Sequence, residues 1–273
     1  MIESAGVEPP AVSEDSADAP SRPRAGFVPS QAHAGVRVNG DVAEKLVSSE
    51  SPAEDSRFEI AVEQYRRLAA ALHQAQAERG LKVVLVTSAD PGEGKSLTAA
   101  NLALTLSESY QRRVLLVDGD LYRPSLHGFF SAPNTDGLSD CLGRTSVSGL
   151  KVFQVSPRLF LLPSGNPMAD PTTAISSPQM REIVEGARAA YDWTVIDTPP
   201  VGLLSYAKLL ADMVDGVVLV VEAGSTSYLD AQRAIEAVGR ERVVGVVLNR
   251  MAEQSGEAKY YRAYYTKTGT RRA

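Results

Sequence analysis

Apolar residues recur along most of this chain in two rhythms, one spaced like a helix face and one running unbroken like a buried strand. The first long segment, RFEIAVEQYRRLAAALHQAQAERG, sets Phe58, Ile60, Ala61, Tyr65, Leu68 and Leu72 at helical spacing and stops at Gly80. A helix is therefore predicted from Arg57 onward. KVVLVTS reads as a strand, followed by a Gly-rich loop and the helical SLTAANLALTLSESY. RRVLLVDGD is the next strand. A long stretch punctuated by Pro and Gly follows, until LFLLPSG resumes the strand pattern and PQMREIVEGARAAY the helical one. WTVIDTPP and GVVLVVEAG are strands, TSYLDAQRAIEAVGR is a helix, and RVVGVVLNR is the final strand. Short Val- and Leu-rich strands alternating with helices predict an α/β fold whose mostly parallel sheet is covered on both faces.

The two ends of the chain carry no such rhythm. Residues 1–56 are rich in Ala, Pro, Ser, Glu and Asp and poor in large apolar side chains. Such a segment buries too little surface to offset its ordering entropy, so it is expected to be disordered. An ordered domain is expected over residues 57–252 and a flexible tail over 253–273. That tail holds KYYRAYYTKT, in which four of the chain's ten tyrosines, Tyr260, Tyr261, Tyr264 and Tyr265, stand in a polar context.

Composition narrows the setting. A net charge of −5 gives no reason to expect nucleic acid as a partner. Cys141 is the single cysteine, which excludes an internal disulfide and suits a reducing compartment. The amino terminus lacks the layout of a signal peptide, and no apolar run reaches the roughly 20 residues a membrane helix needs. A cytoplasmic protein is expected, reaching the inner face of a membrane only through a partner.

The chemistry begins where strand, loop and helix meet at VTSADPGEGKSLTAA. From Ala89 to Ser96 the spacing follows the phosphate-loop pattern, with Ala in place of the more usual first Gly. The stretch Pro91, Gly92, Glu93, Gly94, Lys95, Ser96 and Leu97 is the candidate nucleotide cradle. Gly92 and Gly94 let the backbone curl so that its N–H groups face a β-phosphate, and the helix that opens near Lys95 adds its positive dipole end. Lys95 can reach the β- and γ-phosphates, and the Ser96 hydroxyl can sit on Mg²⁺. Pro91 stiffens the turn, and the Glu93 side chain is expected to point to solvent. The chain is read as binding a purine nucleotide with Mg²⁺, on the three-layer fold of P-loop NTPases.

Two apolar strands end in carboxylates, which places these at the carboxyl edge of the sheet beside that loop. VLLVDGD delivers Asp118 and Asp120, two apart and so on one face; WTVIDTPP delivers Asp197 before a stiff Pro199-Pro200 turn. One such aspartate suits the metal-holding role in a phosphate-loop enzyme. The additional pair leaves carboxylates to bind metal and to take a proton from an attacking hydroxyl. Because a free phenol has a pKa near 10, a tyrosine acting as nucleophile needs such a base or a metal close by. Arg123, in DLYRPS, is placed either to brace these carboxylates or touch phosphate, or to pair at the surface.

ADPGEGKS, VLLVDGDLYRPSLH, VIDTPP and the terminal tyrosine cluster, taken in that order, resemble the bacterial tyrosine kinases of capsular and exopolysaccharide synthesis. GLSDCLGR and GVVLNR look like connecting segments of the same family. The resemblance runs from about Phe58 to the end of the chain. It implies Mg²⁺-ATP as phosphoryl donor, with Lys95, Asp118, Asp120 and Asp197 as catalytic residues and Ser96, Asp118 and Asp197 around the metal. It also implies that Tyr260, Tyr261, Tyr264 and Tyr265 accept phosphate from a neighbouring subunit, and that a membrane polysaccharide co-polymerase activates the kinase. Each phosphate would add about −1.5 to −2 charge to the tail, and several would repel one another enough to loosen an assembly. Some members join subunits into a ring through an E-x-x-R-x-x-R pattern on the first helix. Glu63 and Arg66 match it, but Ala69 stands at the third position, and Arg67 lies about 200° around the helix from there.

Two other functions share these motifs. Division-site and plasmid-partition ATPases carry an extra lysine after the first residue of the loop motif, where this chain has Asp90. A non-catalytic ATP-binding switch acting on a polysaccharide co-polymerase would use the same binding residues. His33, His73 and His127 are too scattered for a metal site. Trp193 is expected to pack in the core, and burial is expected to account for Tyr65, Tyr110, Tyr122, Tyr191, Tyr206 and Tyr228.

Overall fold

The computed structural model describes residues 27–30, 52–144, 147, 149–168, 170–203 and 205–251. Its frame is an eight-stranded sheet. In chain order the strands are β1 (Phe27–Ser30), β2 (Val83–Ser88), β3 (Val114–Asp118), β4 (Leu150–Gln154), β5 (Leu159–Leu162), β6 (Trp193–Asp197), β7 (Gly216–Glu222) and β8 (Val243–Asn249). Across the sheet they run β1-β4-β5-β3-β6-β2-β7-β8, all parallel except the β4–β5 pair. Every residue of β2, β3, β5 and β6 is buried, as continuous apolar strands require when helices cover both faces.

Two layers of helices bury those faces. On one side α1 (Pro52–Arg79) and α2 (Lys95–Glu108) pack Leu72, Leu102 and Leu106 against Val84, Val86, Leu116 and Trp193. The short α3 (Leu126–Phe129) adds Leu126 to this side. On the other, α4 (Leu138–Leu142), α5 (Pro171–Ile175), α6 (Pro178–Ala190), α7 (Ser205–Ala211) and α8 (Tyr228–Val238) contribute Leu138, Ile175, Ile183, Tyr206, Leu210 and Val238. Helix starts are written locally. Ser177 caps α6 by accepting from the Met180 N–H, with Pro178 in the first turn, and Ser227 caps α8 by accepting from Asp230. Trp193 is fully buried, as its place at the head of a strand suggests.

Within residues 1–56 the structure describes β1, which pairs with the otherwise open edge of β4, and the start of the first helix, at Pro52 rather than Arg57. A four-residue strand draws its stability from a neighbour's backbone, so composition averaged over 56 positions hides it, and Pro is at home in a first helical turn. The Pro/Gly-punctuated region after β3 holds α3, α4 and β4, each too short to show a period. Burial does account for Tyr191 and Tyr206, with Tyr65 and Tyr110 half-buried, but Tyr122 is 52% exposed and Tyr228 80%.

One backbone crossing sets a steric limit. A methyl group on Gly137 would stand 2.4 Å from Gly165 N and Pro163 O, both main-chain atoms that cannot swing aside. Gly137→Ala should lower the unfolding free energy by about 1–3 kcal/mol. Gly128→Ala, where the added methyl meets nothing within 4 Å, should be neutral or stabilising by up to about 1 kcal/mol. Urea unfolding midpoints of the two variants check this contrast.

Candidate active site

The parallel strands β2, β3, β6, β7 and β8 deliver their carboxyl ends to one edge, and the candidate residues collect there. Asp118 and Asp197 are direct register partners at the ends of β3 and β6. The loop after β2 turns through Gly92 (φ 87°) and Gly94 (φ 90°), left-handed conformations that glycine adopts without strain. Gly94 is the residue that opens α2, and no side chain caps that helix start. Its first N–H groups are thus left for an anion to satisfy, at the positive end of the helix dipole.

Lys95, in the first turn of α2, places its ammonium 3.2 Å from Asp120 Oδ2 and 3.3 Å from the Ser96 hydroxyl. Asp120 Oδ1 accepts the Arg123 N–H at 2.9 Å. Asp118 is fully buried; its Oδ2 accepts the N–H groups of Ser125 and Leu126, both at 3.0 Å, and its Oδ1 that of Asp120 at 3.3 Å. It therefore fastens the start of α3 while facing the site. Asp197 is also fully buried, and neither of its oxygens completes a hydrogen bond among the described residues, though the Ser96 hydroxyl and Thr198 N–H lie close enough to favour its charged form.

These surroundings move the acidities. Burial, then the charge of Asp197, pushes Asp118 up to about 7 against the pull of its backbone donors. Burial pushes Asp197 up to about 6, opposed by Lys95 and Ser96 and reinforced by Asp120. Two orphaned carboxylate oxygens beside a serine hydroxyl fit a divalent cation, which would supply the missing positive charge. Asp118 has fewer lone pairs to spare, because three backbone donors already use them.

Glu93 does not point to solvent. It is 2% exposed, and its carboxylate accepts from the Asp90 N–H at 2.8 Å, from the Glu222 N–H at 3.4 Å and from the Thr226 hydroxyl. The Asn249 amide donates to the Glu93 carbonyl at 2.8 Å. The loop is thus pinned from β7 and β8, by partners more than a hundred residues away in sequence. Asn249 at the end of an apolar strand is the same signal that marked Asp118 and Asp197, and it escaped notice because it is uncharged. Asp90 lies in an acidic corner, its carboxyl pushed up by partial burial and by Glu93 and Asp230. Pro91 and Gly92 are exposed on the loop, and Leu97 is half-buried in α2. Arg123 is exposed, and its side chain has no partner among the described residues.

The structure does not bring every candidate to this edge. Glu63 and Arg66 pair with each other along α1 at 3.7 Å, and Ala69 is fully buried beneath the helix. Tyr260, Tyr261, Tyr264 and Tyr265 lie outside the described residues. Among those that are described, no helix is long and apolar enough to cross a membrane.

A phosphate loop opening a helix, set between acidic ends of parallel strands, defines a nucleotide-binding P-loop NTPase. The ParA family model, described as the NUBPL iron-transfer P-loop NTPase, matches residues 80–273. The tyrosine-protein kinase YwqD of Bacillus subtilis is 38% identical over 203 residues, spanning 73% of this chain and 85% of that protein. The chain belongs to the bacterial tyrosine-protein kinases, a branch of the P-loop NTPases. The kinase domain of the Escherichia coli tyrosine kinase ETK superposes with a TM-score of 0.62 at 25% identity, covering 71% of this chain and 78% of that one. The succinoglycan biosynthesis transport protein ExoP of Rhizobium meliloti is 33% identical over 69% of this chain, which spans only 25% of ExoP's length.

The raised carboxylates carry a stability consequence of definite sign. Unfolded, Asp197 releases its proton near 3.8; folded, it holds it to about 6. Between those values the folded state binds more protons, so this group's contribution to stability falls as pH rises and is lost above about 6. Asp197→Asn removes the loss. The ligand-free variant should therefore be more stable than wild type at pH 8, on the order of 2 kcal/mol, with a smaller difference at pH 5. Denaturant titrations of both proteins at the two pH values measure it.

Proposed function

We propose that this protein is an ATP-dependent protein-tyrosine autokinase that regulates the polymerisation and export of an extracellular polysaccharide. The observation that carries the reading is the convergence of Lys95, Ser96, Asp118, Asp120 and Asp197 on one sheet edge, in a chain that also bears a tyrosine-rich tail. ATP and Mg²⁺ are the ligands this edge suits, and the kinship to ExoP supports the polysaccharide setting and a membrane co-polymerase as activator.

The loop N–H groups and the uncapped start of α2 hold the β-phosphate, while Lys95 draws charge from the β- and γ-phosphates. Ser96 and Asp197, with Asp118 behind them, would hold the cation, which would supply positive charge to neutralise developing phosphate charge. The phenolic oxygen of an acceptor tyrosine forms a bond to the γ-phosphorus as the bond to the β-phosphate oxygen breaks, ADP leaves, and the phenolic proton passes to the carboxylate pair Asp118 and Asp120. Positioning and charge neutralisation account for the rate, since little covalent work falls to the protein. The acceptors are Tyr260, Tyr261, Tyr264 and Tyr265, presented by one subunit to another, in a protein that works at the inner face of the membrane. Glu63 and Arg66 are the surface pair through which subunits would assemble, without help from the buried Ala69. The acidic corner at Asp90 speaks against a partition-type ATPase, because an acid occupies the position from which a lysine would reach a partner's phosphates.

Intact-mass analysis after incubation with Mg²⁺-ATP and the activator's cytoplasmic segment tests this reading. Wild type should gain phosphates. Lys95→Met should gain none, and the variant with all four tail tyrosines changed to Phe should gain none while binding nucleotide as wild type does. No gain by wild type, with both ligands shown to bind, would instead establish a non-catalytic switch.

A further inference from the structure

Kinship and phosphate-loop geometry leave unassigned what makes this site choose a phenol over a serine hydroxyl. Just beyond Asp120, which pairs with Lys95, the chain turns out at Leu121 and presents Tyr122. The Tyr122 ring stacks on that of Tyr206, with centroids 5.9 Å apart and planes 25° from parallel. Tyr206 is fully buried in α7, and its hydroxyl accepts the Leu121 N–H at 3.2 Å. That buried ring is a fixed floor, tied to the same turn that carries Asp120. Tyr122 lies on it with one face covered and is 52% exposed. Keeping half of an aromatic residue in water is costly when packing was available.

We propose that Tyr122 is an acceptor-binding residue: its exposed face is the platform on which the ring of an incoming tyrosine stacks, setting the phenolic oxygen toward Asp120 and Lys95. This rests on the kinase reading above. Two aromatic rings prefer an offset stack of the kind Tyr122 already makes with Tyr206, and a serine or threonine gains nothing from such a surface. The fitting ligand is a tyrosine in a basic segment. KYYRAYYTKT carries Lys259, Arg262 and Lys267 with no acid, which suits a mouth where Asp118, Asp120 and Asp197 outnumber Lys95. Tyr206 is the positioning residue beneath, and its burial, with the nearby charge of Asp120, holds its hydroxyl protonated and so able to keep the ring uncharged.

The experiment uses the full chain with Mg²⁺-ATP, its activator segment and the synthetic peptide KYYRAYYTKT as acceptor, comparing wild type, Tyr122→Ala and Tyr122→Phe. Tyr122→Ala should raise the KM for peptide roughly three- to tenfold, with kcat and the nucleotide Kd little changed, as expected for loss of uniform acceptor binding. Tyr122→Phe, which keeps the ring, should restore the wild-type KM. An unchanged KM in Tyr122→Ala overturns the proposal, and so does a Tyr122→Phe as impaired as the alanine variant, or a nucleotide Kd that moves in step with KM. Wild type that binds ATP and peptide yet transfers no phosphate would instead overturn the kinase reading on which the platform depends.

Discussion

One ammonium group faces three buried carboxylates at the working edge of this sheet, and the surrounding structure is arranged around that imbalance. Lys95 is committed at short range to Asp120. Asp118 is steadied by backbone donors, while Asp197 has neither a full hydrogen bond nor an ion pair of its own among the described residues. Buried charge left this way is expensive, and the protein bears the cost partly by holding protons on both residues well above the usual carboxylate range. The edge is thus unstable in the electrostatic sense and receptive to added positive charge. Strands β3 and β6 cannot relax it, because register pairing locks Asp118 and Asp197 side by side.

The nucleotide-binding loop is correspondingly restrained. Glu93 is buried under it and holds it to the β7–α8 turn, while Asn249 holds its backbone from β8. A loop with two left-handed glycines would otherwise sample many shapes, so these distant contacts supply the order that the local sequence withholds.

Much of this was legible from the chain alone. Gly92, Gly94 and Lys95 announce a phosphate loop because their spacing is local and lies between a clear strand and a clear helix. Asp118 and Asp197 could be placed because a buried strand that ends in an acid has only one edge to deliver it to. What stayed hidden depends on long-range pairing. Glu93 looked solvent-facing because Glu222 and Thr226, which bury it, come more than a hundred residues later. The strand at Phe27–Ser30 exists only against β4, which is itself too short to show its period. Asp120 was placed correctly by a rule for strands, although β3 ends at Asp118 and it is the turn beyond that carries it to Lys95. The exposure of Tyr122 could not be read from its neighbours, since it is Tyr206, from helix α7, that takes its inner face.

The position of Asn249 bears on how the tail is leashed. Strand β8 runs parallel to β2, so it finishes at the phosphate-loop end of the sheet, and Asn249 touches the loop itself. The tail's root is therefore at the rim of its own site. From Met251 to Tyr260 is nine residues, a contour of about 30 Å at full stretch. A leash of that length corresponds to a local concentration in the millimolar range. A free neighbour at micromolar concentration cannot compete with that, so transfer from one subunit to another demands that the subunits be held in contact first. Assembly, more than affinity between dissolved molecules, is what would decide whose tyrosine is modified.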